Sequence, residues 1–232
     1  MVAQSHADPL TWPVAAWASV VLAGVAAPVI ALLMIAAGPD RASFDPAISP
    51  TLALGLMGSG MIGAAAARHL WAGLGLALMV GLGLSGLAWA IGLPVMANPL
   101  AIALTFVIAS FSFAARGFLF SRSGGSKGWG IAIFVVGGEA AILLTAMAQP
   151  GLLPDWLLAL LPAQWANMAI AAALSGAGLG KVVWAVIALL GTALATLFVA
   201  RLWPKRWTYS VMFTTWIAMS ALVYYQPAFS PG

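Results

Sequence analysis

Glu139 is the one glutamate in the chain, set in Gly137-Gly138-Glu139-Ala140 about ten residues from either end of an apolar run. A carboxylate at the centre of a bilayer costs roughly 3 kcal/mol even on lenient insertion scales, so it must face protein or water. Two chemistries suit such a residue: a proton- or cation-coupled site, or a hydrogen bond that glues two helices. Its helical neighbours Ala132, Val135, Val136, Ile142, Leu143 and Ala146 are all hydrocarbon, so a partner must come from another segment. No Lys or Arg is expected at its depth, which favours a neutral carboxyl group that donates a hydrogen bond.

The last apolar run carries Tyr209, Phe213, Trp216, Ser220 and Tyr224 at helical spacing, with Thr214 and Thr215 beside them. If both segments cross in the same direction, Thr215, Trp216 and Ser220 fall near the depth of Glu139 and become its candidate partners. Packing and interfacial anchoring is the competing account of this stripe.

The two asparagines occupy similar settings: Asn98 follows Leu93-Pro94, Asn167 follows Leu161-Pro162, and each precedes an Ala/Ile-rich run. Broken helices of transporters line their sites with such interruptions, so both asparagines are polar-site candidates. Asn98-Pro99 is similar to the Asn-Pro-Ala box of aquaporins. The second copy has neither the proline nor a following arginine, so the chain is not placed in that family.

Other patterns point to packing rather than chemistry. Gly55, Ser59, Gly63 and Ala67 recur every four residues, a spacing that lets helix backbones approach closely. Gly81, Gly83, Ser85 and Gly86 have the same character. Gly83-Leu84-Ser85-Gly86 could hold a nucleophile, but His6 and His69 are the only histidines, one in the N-terminal tail and one at a helix end. The same two positions exclude haem ligated inside a bundle, and the absence of cysteine excludes thiolate metal sites and iron–sulfur clusters. No metal and no cofactor is expected. Ser121 to Lys127 reads as a flexible basic linker with the makings of a phosphate cradle.

Membrane helices must position these residues. The 232 residues are 63% hydrophobic and 6% charged, far too few charges for a water-covered surface. Apolar runs predict spans near 12–37, 50–67, 71–93, 99–116, 129–149, 181–202 and 207–225, with breaks at Asp40-Arg41, Arg68-His69, Pro94 to Pro99, the 121–127 linker and Pro204 to Arg206. The first run is too long for a signal-peptide core and is expected to persist as a helix. A cytoplasmic N-terminus puts Arg68, Arg116, Arg122, Lys127, Arg201, Lys205 and Arg206 inside, leaving Arg41 and Lys181 outside with Asp40, Asp45 and Asp155. Between 150 and 180, Leu157–Leu161 reads as an interfacial helix and Gln164–Ser175 as a re-entrant half-helix, with an eighth tilted span as the alternative.

The expected fold is an all-α, polytopic transmembrane helix bundle of about seven spans, one integral membrane domain over 1–232. Its N-terminus is cytoplasmic, its C-terminus outside, and a re-entrant or interfacial segment lies near 150–180. The expected location is the inner (plasma) membrane, multi-pass. Membrane lipids are the expected partners, a homo-oligomer or a larger membrane complex stays open, and no nucleic acid is expected. Glu139 favours a channel or transporter for a small solute, ion or proton. The alternatives are a non-catalytic accessory or assembly subunit and a lipid-active membrane enzyme. The lack of convergent acids, bases and metal ligands weighs against an enzyme.

Overall fold

The computed structural model describes residues 11–38, 46–94, 98–177 and 179–225. His6, Asp40, Arg41, Asp45, Ala97 and Gly178 lie outside these residues. The described chain is all helical, with no strands among the described residues. Five stretches are long and apolar enough to cross a membrane by length and composition: Val14–Ala37, Ile48–Ala67, Leu70–Ala90, Pro99–Ala148 and Val183–Leu202. These long apolar helices are those of a membrane-embedded, multi-pass protein, because in lipid a backbone must satisfy its own hydrogen bonds.

In chain order the helices are α1 (11–37), α2 (Ile48–Ala67), α3 (Leu70–Ala90), α4 (Pro99–Gly124), α5 (Gly128–Ala148), α6 (Asp155–Ala159), α7 (Pro162–Leu174), α8 (Val183–Leu202) and α9 (Thr208–Tyr224). The long fourth stretch is two helices. The chain turns at Gly125, whose φ of 55° favours glycine, and α5 packs back on α4. Ser121 to Lys127 is thus not a flexible linker. Helix α4 continues to Gly124 and a 3₁₀ turn covers Gly125–Lys127, with Ser121 and Ser123 hydroxyls donating to the Phe118 and Leu119 carbonyls.

Helix α2 is the axis of the bundle, with nearly all of its residues buried among α1, α3 and α4. Small residues make this enclosure feasible. A Cβ added at Gly55 would come 2.5 Å from Leu84 Cδ1, and one at Gly63 would come 2.8 Å from Leu76 Cδ1, both on α3. Gly24 of α1 sits against Ser59, where an added Cβ would be 2.8 Å from the Ser59 nitrogen. Both helices widen to π turns there, at Val21–Ala26 and Gly58–Ile62. Ala67 closes the series at the half-buried end of α2, before Arg68 leaves the helix with a φ of 53°. On α3, Gly81 abuts Leu56 and Phe106, but Gly83 and Gly86 face open space and do not share the packing role of the α2 stripe.

The tightest approach is Gly117 of α4, whose added Cβ would overlap the Met61 carbonyl oxygen of α2. Backbone cannot move aside as a side chain can. Gly117→Ala should therefore cost about 1–3 kcal/mol through overpacking. Gly83→Ala, in open space on α3, should gain up to about 1 kcal/mol of helix propensity. Thermal unfolding of the two variants in the same detergent checks this, and equal shifts would count against the packing.

The 150–180 region forms two short helices. Helix α7 has 13 residues, about 20 Å at 1.5 Å per residue, against a hydrocarbon core of about 30 Å. It is nevertheless enclosed by α2, α4 and α8, with Trp165, Ala166, Ala169, Ile170 and Ala173 buried. Pro162 opens it at a position where no backbone donor is lost, and the Trp165 indole N–H reaches back to the Ala159 carbonyl at 2.8 Å. Helix α6 begins at Asp155 and ends at Ala159, so the short segment expected at Leu157–Leu161 starts two residues earlier.

Candidate functional site

Four helices bring polar groups to one level. Arg116 lies eight residues before the end of α4 and Glu139 eleven after the start of α5, or about 12 and 17 Å from the turn that joins them. Thr192 is ten residues from the end of α8, and Trp216 eight from the start of α9, about 15 and 12 Å from the turn joining those two. All four side chains line a cavity of about 340 Å³, together with Thr196, Tyr209 and Ser123. The remaining wall is largely hydrocarbon and aromatic: Leu119, Phe120, Val135, Pro162, Met212 and Phe213.

The N-terminus of α7 forms the far wall. The Ala163 backbone N–H donates to Glu139 Oε2 at 2.9 Å, so the carboxyl group sits at the positive end of this short helix. The Trp216 indole N–H donates to the Leu160 carbonyl at 3.0 Å. Two mid-length helices, α5 and α9, thereby hold the same α6–α7 turn.

Arg116 changes the electrostatics expected for Glu139. From the sequence, Arg116 is expected at a helix end and the glutamate without a cation at its depth. Because α4 runs two turns past it, Arg116 lies inside the bundle and interacts electrostatically with Glu139. One guanidinium nitrogen, Nη2, donates to Thr192 Oγ1 at 3.3 Å. The other, Nη1, is buried with no hydrogen-bond partner among the described residues. Thr192 can accept because its own proton goes to the Ala188 carbonyl at 2.6 Å.

The candidate partners of Glu139 on the last helix take different places. Trp216 shares the cavity, in an aromatic row in which Tyr209, Phe213 and Trp216 have successive ring centroids 6.4 Å apart. Ser220 is buried but donates to the Trp216 carbonyl of its own helix at 2.8 Å. Thr215 is half-buried and does not line the cavity. The hydrogen bond to Glu139 thus comes from a backbone N–H of α7, not from the α9 hydroxyls or indole.

The asparagines are not equivalent. Asn98 caps α4, its Oδ1 accepting from the Ala101 N–H at 3.1 Å, and it lies 18 residues from Arg116, about 27 Å along the helix. Asn167 ties α7 to α2 by accepting from Ser49 Oγ at 2.7 Å, and its amide donates to Gln164 at 3.0 Å. Neither lines the cavity. His69 is exposed at the α2–α3 turn.

A second cavity of about 400 Å³ lies between α1, α2 and α5. Its hydroxyls are already engaged, Ser19 donating to the Ala15 carbonyl of α1 and Thr51 to the Ala47 carbonyl at the N-cap of α2, and the rest of its wall is apolar. The chemistry is therefore on the Glu139 side of α5. Among the described residues, no cluster of three or more His, Cys, Asp or Glu side chains could hold a metal ion.

Above Arg116 the same face of α4 carries Ser112 and Thr105, at spacings of four and seven residues. Both hydroxyl oxygens are buried without a hydrogen-bond partner among the described residues, as is that of Ser85 on the adjoining α3. Below Arg116 the face continues to Ser123, which lines the cavity near the α4–α5 turn. The cavity thus extends from mid-helix toward the end of the bundle where Arg122, Lys127, Arg201, Lys205 and Arg206 are exposed.

No family model, curated protein or solved structure matches this chain.

Proposed function

We propose that the protein is a small-solute transporter of the inner membrane, with seven spans and a cytoplasmic N-terminus, coupled to protons through Glu139. The observation that carries this reading is the mid-depth chamber in which a glutamate and an arginine meet the start of a broken helix. Intramembrane charges are costly, and they recur where a polar path crosses the bilayer. Half-helix ends at the midplane bind the charged groups of transported solutes.

In this reading the chamber is a vestibule open to the cytoplasmic end, and the Thr105–Ser112 face of α4 is a closed route to the outer end. Helix α7 is the re-entrant half-helix that separates them. Movement of α7 against α8 and α9 would expose the chamber to alternate sides. Positive charge at the inner loops follows the orientation rule: six of the nine basic residues lie there in this topology, Arg116 being inside the bundle. Helix α9, with 17 residues or about 26 Å, serves as the last span.

The test is Glu139→Gln in proteoliposomes that contain a pH-sensitive dye. The amide oxygen can still accept from Ala163, so folding is expected to survive. Solute-dependent proton movement should fall to the level of empty vesicles, because an amide does not titrate. Unchanged proton movement would rule out Glu139 as the coupling group. Co-purification with a stoichiometric membrane partner, with no flux in the isolated protein, would favour the accessory-subunit reading. A milder variant probes the outer route: Ser112→Ala should slow transport by roughly tenfold without loss of stability, since it removes an unsatisfied buried hydroxyl.

A further inference from the structure

We infer that the chamber binds a small carboxylate with an apolar body, and that binding is linked to proton uptake by Glu139; this rests on the transporter reading and names its substrate class. Recognition begins at Arg116, whose buried Nη1 lacks a partner among the described residues although its Nη2 is engaged by Thr192. A guanidinium offers paired donors that match a carboxylate, and an unsatisfied buried donor costs about 1–3 kcal/mol until a ligand accepts from it. The cavity beside it measures about 340 Å³, within the range of small-molecule sites. That is far more than a chloride ion needs. Its walls at Leu119, Phe120, Met212, Phe213 and Trp216 suit a hydrocarbon or aromatic body rather than a sugar.

Glu139 then acts as an internal competitor. Its carboxyl group interacts electrostatically with Arg116 and accepts from the Ala163 N–H. A second carboxylate cannot join them while Glu139 is charged, because two anions would share one cation in a low-dielectric chamber. Proton uptake by Glu139 removes that conflict. The Arg116 charge then becomes available to the ligand, while the neutral carboxyl group can still accept from the Ala163 N–H. The groups that face Glu139 are few: Arg116 from α4, Tyr209 from α9, the neutral Thr192 from α8 and the backbone of α7. Among the described residues, α1 and α2 bring no charged side chain to this cavity. Exposed Arg122, Lys127, Arg201, Lys205 and Arg206 near its open end would concentrate anions there.

The linkage has a definite sign. Over any pH range where Glu139 is charged in the empty protein and protonated in the complex, affinity should rise about tenfold for each unit the pH falls. Benzoate is a suitable probe and benzamide its uncharged control. Both can be titrated calorimetrically into the full chain in lipid nanodiscs at about pH 6 and pH 8, where benzoate stays ionised. Two buffers of different ionisation enthalpy report proton uptake. Benzoate should bind with about one proton taken up, and benzamide at least about tenfold more weakly. E139Q should bind benzoate without proton uptake and about tenfold or more tightly at pH 8. The double variant R116Q/E139Q leaves no unpaired buried charge, so it should fold, and it should lose benzoate affinity by about a hundredfold.

Benzamide binding equal to benzoate, or undiminished benzoate binding by the double variant, would overturn the proposal. Absence of benzoate binding by every form, while E139Q still abolishes proton-coupled flux, would remove the carboxylate assignment and leave the transporter reading intact. Binding as described without flux of any solute would remove the transporter reading and leave the site.

Discussion

Arg116→Met should destabilise the protein by about 3–5 kcal/mol, among the largest single effects expected in the chain. The substitution keeps an apolar stem of similar length but leaves Glu139 in the bundle without its cation. Breaking a buried pair costs that much because the remaining charge is uncompensated, not because the pair itself was worth so much. The companion variants give the argument its sign. Glu139→Gln keeps an acceptor for the Ala163 N–H but leaves the Arg116 charge buried without its anion, so it should also cost about 3 kcal/mol. In the Arg116→Met/Glu139→Gln double variant neither charge remains, and most of the loss should be regained. Reversible unfolding of all four proteins in one detergent closes the cycle, and a favourable coupling of about 2 kcal/mol or more is expected. Additive effects would mean that the two groups do not depend on each other, despite the electrostatic interaction between them.

The pair is hidden in the sequence by the position of a helix boundary. Helix α4 was expected to end at Arg116 because a basic residue after an apolar run is the ordinary mark of a membrane boundary. The run from Phe118 to Ser123 extends the helix, and only that extension moves Arg116 inward to meet Glu139. Charge alone therefore misplaces a boundary when the charge is part of the interior. The Glu139 partner was hidden for a different reason. It is a backbone N–H, and every residue except proline has one, so no side chain announces it. What sequence did announce was Pro162, which opens α7 and leaves Ala163 as a free donor at the helix start. Apart from α4, the long helices are legible to within a few residues, since hydrocarbon length sets them. The paired π turns of α1 and α2 carry no such signal; they lie where Gly24 and Ser59 meet across the two helices. Similar limits applied to Asn98 and Asn167, whose matching surroundings hid a cap in one case and an interhelical tie in the other.

Cysteine labelling of this cysteine-less chain should give an all-or-none pattern along the 150–180 region. Substitutions at Pro154 and Ala177, both exposed, should react with an impermeant maleimide from outside the cell, whereas Ser123, also exposed, should react only after the membrane is opened. The geometry requires this if the orientation is as proposed. Helix α5 reaches the outer end at Ala148, and nine residues below that point Glu139 holds Ala163, about 14 Å down. Trp216, near the middle of α9, holds Leu160 at the same level. The chain therefore descends to mid-depth by residue 160. From there α7 rises again: Asn167 meets Ser49 at the start of α2, which is an outer end in this topology. With 13 residues α7 cannot continue to the opposite face. A cysteine at Thr196, which lines the vestibule, should react from the cytoplasmic side and be protected by benzoate if the carboxylate site is occupied. Labelling of Ala177 only from the cytoplasm would establish an eighth crossing instead. It would also carry Arg201, Lys205 and Arg206 to the outer face, against the charge rule from which the orientation was derived.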